Sequence, residues 1–145
     1  MEIRELIQTM RKFQHLHRKQ LQQIMEKEGL FWGQAPILEE IQKKGYCTQK
    51  ELVDILKVSP PSIATSIKRL VKNGYLLKEA SQTDQRCTRV SISPQGNEIC
   101  NRCRLAFDEM DQKVFKGISE DEKQFLYDIL LTLTHNIENL KEECE

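Results

Sequence analysis

The sequence predicts a mainly α-helical chain carrying one small β-ribbon. Three observations predict it: an apolar period of about 3.5 residues over 2–28, two short capped helices over 48–74, and two further amphipathic runs after Pro94. Only between Tyr75 and Ser93 does the pattern change to short segments of strand character bounded by polar residues. With 145 residues, of which 39% are hydrophobic, the chain can fill one compact core, and six glycines and four prolines leave little room for a linker.

The first helix, residues 2–28, lines up Ile3, Leu6, Ile7, Met10, Phe13, Leu16 or His17, Leu21 and Ile24, with Gly29 after its last turn. A stripe this long cannot be buried on a domain of this size by itself, so a helix from a second copy of the chain is expected to cover it. Leu30, Phe31 and Trp32 then form an apolar cluster before Gly33, and Trp32 is expected in the core. Gln34 to Lys44 reads as a helix with Ile37, Leu38 and Ile41 facing inward.

Thr48 is an N-cap with Glu51 three residues on, the spacing of a capping box. The helix it starts runs to about Lys57 with Leu52, Ile55 and Leu56 inward. Val58, Ser59, Pro60 and Pro61 stop it and start the next, because a serine accepts from the new N-terminus and a proline there loses no hydrogen bond. Two helices joined by so short a turn make a helix-turn-helix. The second, from about Pro61 to Asn73, buries Ile63, Ile67, Leu70 and Val71, and Gly74 ends it. Its other face carries Ser62, Thr65, Ser66, Lys68, Arg69 and Lys72, small hydroxyls that permit close approach to base edges and long cations that reach guanine or phosphate.

Tyr75 to Glu79 and Thr88 to Ser93 read as two strands joined by a polar tip holding Asp84 and Arg86. A guanidinium at the tip of a ribbon suits the negative potential of a minor groove. Beyond it, Ser93 and Pro94 start a helix with Ile99, Cys103, Ala106, Met110 and Val114 on its period. Gly117 ends that helix, Ser119 and Glu122 form a second capping box, and Phe125, Leu126, Ile129, Leu130, Leu133, Ile137 and Leu140 stripe the last helix.

The helix-turn-helix, then Asp84-Gln85-Arg86, then Val90-Ser91-Ile92-Ser93-Pro94-Gln95-Gly96, resemble the MarR family of bacterial transcription regulators. The resemblance implies a winged helix-turn-helix with long N- and C-terminal dimerisation helices. The corresponding parts are 1–33 for the N-terminal helix and its connection, 34–96 for the DNA-binding domain and 97–145 for the C-terminal dimerisation helices. It further implies a homodimer presenting two reading heads to a near-palindromic operator in double-stranded DNA, and a site for a small-molecule inducer between the dimer helices and the head, near His15 and His17.

On these grounds Ser59, Pro61, Ser62, Thr65, Ser66 and Arg69 are assigned to the major groove, Arg86 to the minor groove with Asp84 orienting it, and Lys68, Lys72 and Arg89 to phosphate. Charge distribution agrees. The chain is neutral overall, yet Lys57 to Val90 holds seven cations against two anions while Leu105 to Glu145 holds four against eleven.

Five cysteines, an odd number at irregular spacing, suit a reducing cytoplasm rather than a disulfide framework. No secretory signal and no membrane span is expected, since charges interrupt the N-terminal helix and no run of 18 apolar residues occurs. Cys100 and Cys103 are the one redox candidate. On a helix their β-carbons stand about 5–6 Å apart, too far for an unstrained bridge, so packing is the first reading and oxidant sensing the second. His15, His17, His135, Cys47, Cys87 and Cys144 show no zinc-finger spacing, and no metal, cofactor or catalytic set is expected. The expected function is a DNA-binding regulator, a repressor relieved by a small ligand or by thiol oxidation. Two rivals stay open: a thiol-redox protein using Cys100 and Cys103, and a winged-helix adaptor that binds protein.

Overall fold

The structure, a computed structural model, describes residues 1–31, 33–80 and 88–143. Its elements are α1 (Ile3–Lys27), α2 (Gln34–Lys44), β1 (Tyr46–Thr48), α3 (Gln49–Leu56), α4 (Pro60–Lys72), β2 (Leu76–Ala80), β3 (Thr88–Ile92), α5 (Pro94–Val114) and α6 (Glu120–Glu143). They fall into two compact units, Met1–Asp108 and Glu109–Glu145. Trp32, expected in the core, lies outside the described residues, as do Asp84, Arg86, Cys87 and Cys144.

The first unit closes around one core in which Ile37, Leu38 and Ile41 of α2 meet Leu52 of α3, Ile63, Ile67 and Leu70 of α4, Leu76 of β2, Val90 of β3 and Ile99 of α5. Each of these apolar side chains is essentially inaccessible to water, so the helix-turn-helix is held by transfer of its inner face out of water. From α1 the residue that enters this core fully is Met25, which the predicted stripe omits. Ile3, Leu6, Phe13 and Leu16 of the same helix stay exposed.

The expected two-stranded ribbon is a three-stranded antiparallel sheet of order β1-β3-β2. Gly45, at φ +87°, turns the chain out of α2 so that Tyr46, Cys47 and Thr48 pair with Ser91, Val90 and Arg89. Three residues carry no periodicity of their own. The strand exists because β3 offers it an edge.

The Thr48 hydroxyl accepts from the Glu51 N–H at 3.1 Å, but the Glu51 carboxylate takes the Thr48 hydroxyl, at 3.2 Å, where a full capping box would take the N–H. Ile55, expected inward, is exposed. It lies about 60° round the helix from Leu52, on the side away from Val53 and Leu56, and those two carry the rest of the packing. Lys57 then adopts left-handed backbone at φ 56°, the one non-glycine residue to do so among those described.

Within the second unit Gly117 stands at φ +87° and a reciprocal capping box starts α6, Ser119 N–H donating to the Glu122 carboxylate at 2.8 Å and Glu122 N–H to the Ser119 hydroxyl at 3.2 Å. Phe125, Ile129, Ile137 and Leu140 are each more than half exposed in the single chain. Among the described residues no helix is long and apolar enough to cross a membrane.

Candidate nucleic-acid interface

Helix α4 begins where the Ser59 hydroxyl accepts from the Ser62 N–H, with Pro60 in the first helical position. Burial of Ile63, Ile67 and Leu70 fixes which way the helix is rotated, and it leaves Ser59, Pro61, Ser62, Thr65, Lys68, Arg69 and Lys72 exposed. Ser66 is set back and half-buried. The hydroxyls are already oriented, Ser59 Oγ donating to Ser62 Oγ at 2.8 Å and Thr65 Oγ1 to the Pro61 carbonyl at 2.9 Å. Each keeps acceptor capacity toward a partner outside the helix. Arg69 lies with its guanidinium carbon 5.3 Å from the centroid of the Phe31 ring.

Arg89, assigned to phosphate, is engaged on β3, one pair from the end of the ladder nearest the tip. Its guanidinium sits 4.7 Å over the Tyr46 ring, and its Nε lies 3.4 Å from the carboxylate of its cross-strand partner Glu79. That Nε is buried with no hydrogen bond among the described residues, so the contact is an ion pair of poor angle. The ribbon tip with Asp84 and Arg86 is outside the described residues.

Ser93 links the end of α4 to α5. Its hydroxyl donates to the Gly74 carbonyl and accepts from the Gly96 N–H at 3.0 Å, while its N–H donates to the Tyr75 carbonyl at 3.0 Å. Gly96 allows the approach, since a β-carbon there would fall 2.1 Å from the Tyr75 oxygen. Gln42, which sequence reasoning missed, joins α2 to α5. Its amide N–H groups donate to Asn97 and Asn101 at 3.1 and 3.0 Å, and its carbonyl accepts from Arg104 at 2.6 Å and from the Cys100 thiol at 3.3 Å. An amide on a charged helix face has no periodicity to betray such a role.

Behind α4 lies a half-open cavity of about 740 Å³, walled by Leu21 and Met25 of α1, Pro36 of α2, Val58, Ile63 of α4 and Phe107 of α5. Ser62 and Ser66 also line it, and among the described residues Glu39 is the one charged residue on its wall. The cavity therefore touches α4 along the flank that carries Ser62, Ile63 and Ser66. His15 and His17 do not line it; His17 stacks on Phe13, ring centroids 5.7 Å apart, further up α1.

Cys47, Cys100 and Cys103 are buried free thiols. Burial raises all three pKa values, that of Cys103 from 9.0 to about 11 with the Glu28 charge adding to the effect. For Cys100 the Arg104 guanidinium opposes the rise without cancelling it. A neutral, enclosed thiol is a poor nucleophile toward oxidants, and packing in the core is what these side chains do here. Among the described residues no group of histidine, cysteine and carboxylate side chains is arranged to hold a metal.

A helix-turn-helix with a β-sheet beside it, its second helix turned donor side out, defines the winged helix-turn-helix class of protein. Residues 29–86 match the MarR family. Over 109 residues the chain is 27% identical to the HTH-type transcriptional regulator BilQ of Clostridium symbiosum, covering 75% of this chain and 76% of that one. Its fold is similar to Staphylococcus aureus MarR in complex with salicylate and kanamycin (TM-score 0.82, 22% identity, 94% of this chain and 92% of that one). It is also similar to E. coli MarR complexed with operator DNA (TM-score 0.72, 20% identity, 92% and 99%). Over 29–86 the chain is similar to the MarR family, and what it shares with these regulators is the winged helix-turn-helix fold.

Proposed function

We propose that two copies of this chain form a repressor that grips a near-palindromic operator. The two α4 helices enter major grooves about 34 Å apart, one helical turn of B-DNA. Ser59, Pro61, Ser62, Thr65 and Arg69 face base edges, with Ser66 at the margin. Lys68 and Lys72 meet phosphate, Arg89 reaches it only by leaving Glu79, and Arg86 enters the minor groove beside Asp84. The observation that carries this reading is the exposed donor face of α4, whose rotation the burial of Ile63, Ile67 and Leu70 dictates. Exposed apolar stripes on α1 and α6 support the homodimer, because isolated surfaces of that extent are costly in water. The fold it shares with a MarR captured on operator DNA supports the docking mode.

Relief by a small ligand is the branch of regulation we favour over thiol oxidation. The cavity is apolar, of a size for a small aromatic molecule, and shares Ser62 and Ser66 with the reading helix, so an occupant bears on the helix that holds the DNA. The buried thiols with raised pKa argue the other way for oxidation. Footprinting on genomic fragments selected by the protein tests the main reading and is expected to protect two half-sites on one face of the duplex. Protection of a single half-site, or none, would overturn it. Salicylate titrated into the complex tests the second part, with release of operator expected and unchanged binding counting against it.

A further inference from the structure

Phe31 is an aromatic side chain left 60% exposed although its backbone is pinned. Its N–H donates to the Gln34 side-chain oxygen at 2.9 Å, the Gln34 N–H donates back to the Phe31 carbonyl at 3.2 Å, and Gln34 itself is buried. Phe31 belongs to the connection between α1 and α2, outside the helix-turn-helix, yet its ring carries the Arg69 guanidinium at 5.3 Å. The Arg69 guanidinium makes no hydrogen bond or ion pair with another described residue, so among the described residues this ring is what holds its charged end.

We propose that Phe31 is a positioning residue for DNA reading, setting the plane of the Arg69 guanidinium before the duplex arrives. An aromatic face attracts a cation through its quadrupole, and because the N–H donors of a guanidinium lie in its own plane, one laid flat on the ring keeps them directed outward. Stacking and a two-pronged contact with guanine therefore use different parts of the same group. A long side chain fixed beforehand loses less rotamer freedom when it meets a base edge, and the orientation it keeps is one that discriminates among bases. The inference rests on the reading that Arg69 contacts a base.

The test is a double-mutant cycle on operator affinity with Phe31→Leu, Phe31→Tyr, Arg69→Ala and the Phe31→Leu/Arg69→Ala pair. Phe31→Leu is expected to weaken operator binding about two- to fivefold, the range of an exposed cation–π contact, while binding to unrelated DNA, the salt slope and the melting temperature stay as in the parent. Phe31→Tyr restores the ring face and is expected to bind as the parent does. In the Arg69→Ala background Phe31→Leu is expected to change nothing further. A loss from Phe31→Leu that is the same with and without Arg69 would overturn the inference, as would parental binding by Phe31→Leu beside weakened binding by Arg69→Ala. Parental binding by Arg69→Ala would instead remove the base-contact reading on which the inference stands.

Discussion

Ser93 and Gly74, nineteen positions apart, are joined by a hydrogen bond from the serine hydroxyl to the glycine carbonyl. The bond fastens the end of α4 to the start of α5, and the same hydroxyl caps α5 through the Gly96 N–H. Ser93→Ala leaves both groups short of a partner in a buried place and is expected to cost about 1–3 kcal/mol in urea unfolding. Gly96→Ala drives a methyl against the Tyr75 carbonyl and is expected to cost at least as much, about 1–3 kcal/mol or more, because backbone must move. A Gly96→Ala protein as stable as the parent would contradict this packing.

On α4, Arg69→Ala and Lys72→Ala separate two kinds of contact. The first is expected to cost about 1–3 kcal/mol on the operator and to alter base preference at one position. The second is expected to weaken operator and unrelated DNA alike and to flatten the dependence of log affinity on log salt by roughly one unit. Anisotropy titrations at several salt concentrations read both, and two variants indistinguishable from the parent would count against the assignment.

Ile129 is 55% exposed on α6 in the single chain, and in a homodimer its side chain is expected at the joint. Burying an isoleucine is worth about 1.5–3 kcal/mol, so Ile129→Lys should weaken self-association about tenfold or more. Sedimentation across a dilution series measures this. A parent chain that sediments as one copy at every concentration would remove the dimer from the proposal.

The thiol of Cys103 is kept neutral in the folded chain, its pKa lifted from 9.0 to about 11, chiefly by burial. Raised means that the folded state holds the proton more tightly than the unfolded state does. The stability this lends is fully present below about pH 9 and is lost as pH climbs through 11, on the order of 2 kcal/mol. Urea midpoints between pH 8 and 11 should therefore fall more steeply for the parent than for Cys103→Ala, and equal slopes would place the thiol in a wetter setting.

What lies within a few residues along the chain was legible in the amino-acid sequence. Thr48, Ser59 and Ser119 cap the helices they were expected to cap, and Gly74 and Gly117 end the ones before them, because a cap depends on backbone groups only three residues away. Apolar spacing placed Ile63, Ile67 and Leu70 inward and so oriented the candidate reading face. The Asp84 and Arg86 expectation remains a reading of sequence alone.

Tertiary structure decided whatever needed a partner from elsewhere in the chain. Tyr46–Thr48 is a strand only beside β3, Met25 is the residue by which α1 joins a core built by the other elements, and Ile55 is exposed because Val53 shares the buried arc in its place. Contacts such as Phe31 with Arg69, Tyr46 with Arg89 and Gln42 with Asn97 and Arg104 join residues 38 or more apart, apart from no pattern that either partner shows locally. Periodicity and caps report the rotation and ends of one element, whereas these side chains take their roles from where a second element happens to be packed.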